Sequence, residues 1–283
     1  MPHFRYEARR WFTRGALCAV LTVLPWVSAG LLGACGSDST GGTRVTLHTE
    51  LSLDESASAP FVTPLGWTVS LDRALISSGE LHYYDGEPPL VFNAPSRHPA
   101  SPLWDFVGLR LAHAHPGHYQ AGNALGEMLE AASEDLSAGP VTLADGGGVS
   151  GTYRSGSFGF HAPPVGSVAD ALAGHVALAS GVATKDGEEP RYFVAFADLS
   201  EVEQSAVGGN VEGCEFVSVD IQKSGTVHVL VDAKVWFNLV DFAELEPGSA
   251  DAPGEFPVDS QPRIAFAQGL AQLSAYKFSY SAE

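Results

Sequence analysis

The chain predicts an all-β protein: an antiparallel β-sandwich of jelly-roll or Ig-like type with one or two short helices. Three observations lead there. About ten short segments alternate apolar with small or polar positions, the period-2 signature of half-buried strands. Glycine and proline, 31 and 18 of 283 residues, punctuate the gaps between them. No long helical pattern alternates with the strands, as a parallel βαβ protein requires.

Residues 44–53 read as the first strand, with Val45, Leu47 and Leu51 on one face and Arg44, Thr46, His48 and Glu50 on the other. Residues 66–76 and 79–84 read as the second and third, separated at Ser77-Ser78-Gly79 and closed by Asp85-Gly86. The stretch 87–102 is rich in proline and reads as an irregular loop. In residues 105–111 Phe106 opens another alternating run, and Pro116-Gly117 breaks it. Good helix formers at 125–136 predict a short helix. Strand signals resume at 140–144 and 151–161 around a glycine turn at 146–148. Residues 173–183 and 191–197 flank Lys185-Asp186-Gly187 as a hairpin, and 216–231 reads as a second hairpin around Lys223-Ser224-Gly225. Residues 235–242 suggest a further strand, 244–262 an acidic loop, 263–273 a short helix and 276–280 a last strand. One core of about 240 residues is compatible with a single domain.

The N-terminus carries a secretion signal. Arg5, Arg9, Arg10 and Arg14 form a basic region, and residues 15–34 carry no charge. The segment ends in Leu32-Gly33-Ala34-Cys35, which resembles the lipobox of bacterial lipoproteins. The resemblance implies that residues 1–34 are removed, that Cys35 is lipidated as the mature N-terminus, and that 35–42 tether residues 43–283, a single β-sandwich domain, to a membrane. Gly36 in the sorting position implies the outer membrane, facing the periplasm. Arg9-Arg10-Trp11-Phe12 resembles a twin-arginine export motif, which implies passage in the folded state.

Without residues 1–34 the chain keeps 11 of its 15 basic and 32 of its 33 acidic residues, a formal charge of −21. Nucleic acid and anionic lipid head groups are disfavoured partners, whereas metal cations and basic proteins are favoured. Cys18 leaves with the signal and Cys35 carries the lipid, so Cys214 stands alone between Glu212 and Glu215. It is either a buried structural thiol or a metal ligand.

The concentrated chemistry is in LRLAHAHPGHYQAGNALGEMLE at 109–130, where His113, His115 and His118 fall within six residues. Imidazoles at a strand end and across a Pro-Gly bend can converge on one transition metal, copper, zinc or iron. His161 and His175 are candidate completing ligands, and Asp105 is a candidate carboxylate ligand or a partner that orients one. A thioether-rich copper site is excluded, because Met128 is the only methionine after residue 1.

Three readings follow from these residues. In the first, a non-catalytic lipoprotein captures, delivers or senses the metal, with a transport protein as its partner. In the second, the protein is a metal enzyme: Gly108, His113-Ala114-His115, Gln120 and Gly126 resemble a degraded first cupin motif, which implies an antiparallel jelly roll. Gln120 stands where that family has a ligating glutamate, and Pro164-Val165-Gly166 lacks the histidine of the second motif. In the third, the protein is a structural or adhesive β-sandwich without metal. His-x-His also opens amidohydrolase sites, but those need a β/α barrel. The chain has no H-E-x-x-H, G-x-S-x-G or P-loop, and no G-x-G-x-x-G in a strand-to-helix setting.

Overall fold

The computed structural model describes residues 42–89 and 119–283. In chain order its strands begin with β1 (Arg44–Leu53), β2 (Phe61–Val62), β3 (Thr68–Tyr84), β4 (Ala124–Met128) and β5 (Ala132–Asp135). There follow β6 (Val141–Thr142), β7 (Gly146–Val149), β8 (Gly151–Phe160), β9 (Ala177–Thr184) and β10 (Arg191–Ala197). The series closes with β11 (Asn210–Ile221), β12 (Gly225–Val231), β13 (Gly254–Glu255) and β14 (Tyr276–Ala282). Three short helices accompany them: α1 (Ala169–Leu172), α2 (Leu199–Val202) and α3 (Gln261–Leu270). The protein is mostly β, as its alternation predicts.

Backbone pairing joins the strands into one mixed sheet. It runs β3, β4, β7, β1, β12, β14, β11, β8 and returns from β8 to β3, so eight strands close a ring. From the N-terminal half of β3 the sheet continues outward through β9 to β10 and β13. The expectation of purely antiparallel strands is corrected here, because β1–β12, β11–β14 and β10–β13 are parallel.

Inside the ring the inward positions are large and apolar. Tyr83, Tyr153, Phe216 and Phe278 meet with ring centroids 5.7–6.5 Å apart, and Phe158 stacks on Tyr276 at 4.2 Å. Val45, Leu47, Leu51, Val227 and Val229 fill the β1–β12 side. Beside the ring, Phe193 packs against Phe237, Phe242 and Phe256, while Phe266 of α3 touches Trp236, Phe237 and Phe256. Complete burial of such rings is the main favourable term holding the fold.

Several local readings change. Ser77-Ser78-Gly79 is no turn but the middle of β3. Both hydroxyls find carbonyls, His161 O at 2.8 Å and Ala132 O at 3.3 Å, and a Cβ on Gly79 would sit 3.0 Å from Phe160 O. The small residues admit close neighbours rather than a reversal. Residues 125–136 form β4, β5 and a 3₁₀ turn instead of a helix, since pairing with β3 and β7 overrides propensity. Gly146, Gly147 and Gly148 are strand, not turn. A Cβ on Gly148 would meet the Tyr153 hydroxyl at 2.6 Å and Leu47 Cδ1 at 2.8 Å, so that glycine makes room for ring-filling side chains, while a Cβ on Gly146 would meet the Glu127 carbonyl oxygen at 2.5 Å.

The hairpin read at 216–231 is also corrected, because β14 lies between β11 and β12. Residues 235–242 form 3₁₀ turns, not a strand. Val235, Trp236, Phe237, Val240 and Phe242 are all buried while Leu239 is exposed, a pattern that keeps no period of two. The helix near 263–273 is present as α3, where Ser260 Oγ accepts from Arg263 N and Pro262 occupies the first turn.

Two hydroxyls of the ring strands, those of Tyr83 and Thr49, are buried without a hydrogen-bond partner. Tyr83 is fully buried, its hydroxyl has no hydrogen-bond partner, and burial pushes its pKa far up, offset only in part by the Thr49 hydroxyl beside it. Tyr83→Phe is therefore expected to leave stability within about 1 kcal/mol of the parent or above it, read as the urea midpoint. Truncating the same ring with Tyr83→Ala is expected to cost about 3–5 kcal/mol.

Candidate metal centre

Strands β3 and β4 pair through Tyr84 and Ala124, so the long connection between them leaves and returns at one place. Its two ends are fastened together. Asp85 Oδ1 accepts from Asn123 N at 2.7 Å, Asp85 Oδ2 accepts from Asn123 Nδ2 at 2.8 Å, and Gly86 N donates to Ala121 O at 3.0 Å. The Asn123 amide holds the Asp85 carboxyl below its ordinary value. Gly122 has φ +78°, and a Cβ there would lie 2.2 Å from Asp85 Oδ1, so this turn requires glycine.

Deeper in, the Tyr119 hydroxyl lies 2.6 Å from Ser155 Oγ, which donates to Gly86 O at 2.7 Å. Gly213 of β11, with φ +79°, lies beneath both ends: a Cβ there would be 2.7 Å from Pro89 Cδ and 3.5 Å from Tyr119 Cδ2. Asp105, His113, His115 and His118, sequence candidates on this connection, lie outside the described residues, as does Cys35.

His161 and His175 are described, and the fold brings their backbones to one place. Ser77 N donates to Val176 O at 2.8 Å, and Ser77 O accepts from His161 N at 3.1 Å. Ser77 thus joins the end of β8 to the start of β9. The His175 ring lies over Phe196 at 4.6 Å, and its Nδ1 is 2.6 Å from Asp198 Oδ1.

Asp198 is held in turn by a charged network. Arg263 Nη2 donates to Asp198 Oδ2 at 2.8 Å and Arg263 Nε to Glu201 Oε1 at 2.7 Å, while Glu201 Oε2 accepts from Asp198 N at 2.7 Å. Burial works against the Arg263 charge, but the Glu201 hydrogen bond and the Glu201, Asp198 and Glu255 charges outweigh it and raise its pKa. The network ties the strand end at β10 and helix α2 to α3, and it fixes the orientation of the His175 ring.

A carboxylate on Nδ1 is the arrangement that orients a metal-binding histidine and leaves Nε2 as the donor. Among the described residues, however, no three His, Cys, Asp or Glu side chains are grouped to hold an ion. His161 and His175 alone supply two donors at most.

The other described histidines are turned toward carboxylates. His48 has Nδ1 2.6 Å from Asp145 and Nε2 3.1 Å from Glu283. His228 has Nδ1 3.0 Å from Glu50 and Nε2 2.8 Å from Ser281 Oγ. His82 Nε2 is 3.8 Å from both Glu80 and Glu127. In the first two rings both nitrogens are engaged by groups on opposite edges, which cannot converge on one ion. Sequence alternation puts His48 and Glu50 on one outward face, but their partners lie in distant segments that it does not reveal.

Cys214 is buried, and its Sγ lies 3.2 Å from Val211 O. Burial pushes the thiol up to about 12, and the side chain packs within the core.

No known protein family, curated protein sequence or solved structure matches the chain.

Two outcomes are expected. The Cys214 thiol should resist iodoacetamide at pH 8 in the folded protein and react fully in denaturant, read by intact mass. Arg263→Ala should cost roughly 3 kcal/mol in chemical denaturation, the lower end for a broken buried pair, because the partly exposed carboxylates it abandons recover some solvent.

Proposed function

We propose that the protein is an exported, non-catalytic metal-binding lipoprotein, anchored through Cys35 to the outer membrane and facing the periplasm. It captures, delivers or senses copper, zinc or iron. His113, His115 and His118 are the primary ligands, completed from among His161, His175 and Asp105. A partner protein that supplies or receives the metal follows from a delivery role.

The observation that carries the reading is the density of imidazole in one connection: three side chains within six residues, on a segment whose ends are held together by Asp85, Asn123, Tyr119 and Ser155. Neutral imidazole suits transition metals and not calcium or magnesium. Two further features support it. His175 already has the carboxylate on Nδ1 that a ligating ring needs, and Cys214, which would compete as a soft ligand, is buried. The acidic chain also favours cations near its surface.

The test is metal content by mass spectrometry after loading the purified full chain with zinc or copper(II) and removing excess. One equivalent is expected in the parent, with loss in the double variant His113→Ala, His115→Ala at unchanged circular dichroism. Affinity should fall as pH drops through about 6.5, since protonated imidazole cannot ligate. No bound metal in the parent would sink the reading and leave a structural or adhesive role. Affinity flat from pH 7.5 to 5.5 would point to carboxylates instead. Retention of metal together with turnover of an oxidisable substrate would favour a metal enzyme.

A further inference from the structure

Strand β14 is supported unequally along its length. Its first residues lie between two neighbours, Lys277 and Phe278 pairing with Glu215 and Phe216 of β11 while the opposite edge pairs with β12. From Ser279 to Ala282 only β12 is paired, in a register that runs to Gly225 opposite Ala282. Side chains on the outward face supply the other attachments. The β1–β12 register sets Glu50 opposite His228 and His48 opposite Thr226, so both rings stand on that face.

The two histidines hold the run in chemically different ways. His228 Nδ1 faces the Glu50 carboxylate and Nε2 faces the Ser281 hydroxyl. A neutral ring satisfies both, donating from Nδ1 and accepting the hydroxyl proton at Nε2. His48 has a carboxylate at each nitrogen, Asp145 at 2.6 Å and Glu283 at 3.1 Å. Each contact needs an N–H, and a neutral imidazole carries only one. The double contact therefore belongs to the imidazolium.

We propose that His48 is the proton-dependent half of a clasp on Ser279–Glu283, and that the Glu283 contact opens when His48 loses its proton. The single N–H that remains stays on the shorter contact to Asp145, and Nε2 then presents a lone pair to the Glu283 carboxylate. The charged and titratable groups around the clasp are Asp145 from the segment before β7, Glu283 after β14, Glu50 and His228 beside it, Tyr280, whose hydroxyl donates to the Lys223 carbonyl, and Lys223, whose ammonium donates to the Glu283 carbonyl. His228 and Lys223 keep their contacts in either state, so the run loosens without leaving the sheet.

The hydrogen bond to Asp145 raises the His48 pKa most, loss of solvent opposes it, and the Asp145 and Glu283 charges add to the rise. A raised value means the clasp contributes fully below the unfolded value of about 6.5 and is lost as pH rises through the folded one.

The experiment is a proton NMR titration of the histidine ring protons in the full chain, with His48→Gln assigning the signal. The His48 midpoint is expected above 6.5, lowered by Glu283→Gln and unmoved by His228→Gln. Amide exchange at residues 281–283, corrected for its intrinsic pH dependence, should accelerate about two- to fivefold across that midpoint, the factor proper to an exposed ion pair. His48→Gln should show the faster rate at every pH. A midpoint at or below the ordinary value, no response to Glu283→Gln, or exchange constant across the titration would each overturn the proposal.

Discussion

The ring exists because β14 is wedged between β11 and β12. The turn after Ile221 sends β12 back against the direction of β11, so any strand inserted between them runs antiparallel to one and parallel to the other. β14 is antiparallel to β12 and parallel to β11, which accounts for one of the three parallel pairings. The insertion also delivers Tyr276 and Phe278 to the interior, where they meet Phe158, Tyr83 and Phe216. Without that strand, β11 and β12 would each expose an unpaired edge and the aromatic cluster would lose one wall.

A second dependence runs along β3. One edge serves β9 in its first half and β8 in its second, and the change occurs at Ser77, which bonds to both Val176 and His161. A larger side chain there would crowd Ser133, whose hydroxyl donates to Ser77 Oγ at 3.0 Å. Small polar residues thus let two strands share one neighbour. The extension through β9 and β10 is then locked from outside by Arg263, whose buried guanidinium joins Asp198 and Glu201 to α3.

Much of this was legible in the amino acids, and what was not follows a pattern. β1, β8, β10, α3 and β14 appear close to where alternation, turn residues or a cap predict them, because one buried face imposes a period on the chain. The hairpin at Lys185-Asp186-Gly187 is present for the same local reason. The failures lie where small residues serve distant neighbours: Ser77-Ser78-Gly79 and Gly146–Gly148 look like turns because short-range rules cannot see the carbonyls of Phe160 and Glu127 or the side chains of Tyr153 and Leu47 that approach there. Pairing between β12 and β14 is equally invisible, since their nearest ends are more than forty residues apart in sequence. For the site, residue chemistry singled out His161 and His175 but could not show that Ser77 unites their backbones or that Asp198 orients one ring. The acidic partners of His48 and His228, and Glu127 beside His82, were hidden in the same way, whereas Glu80 lies two residues before His82 on the same strand.

Gly213 lies against Pro89 and Tyr119 at once, so the doorway through which the β3–β4 excursion departs is also the one through which it comes home. In general the entropic cost of closing a connection between two fixed posts grows only logarithmically, about 0.6 kcal/mol for each doubling of length. Connections of different length can therefore join β3 to β4 at these posts while the aromatic interior stays as it is.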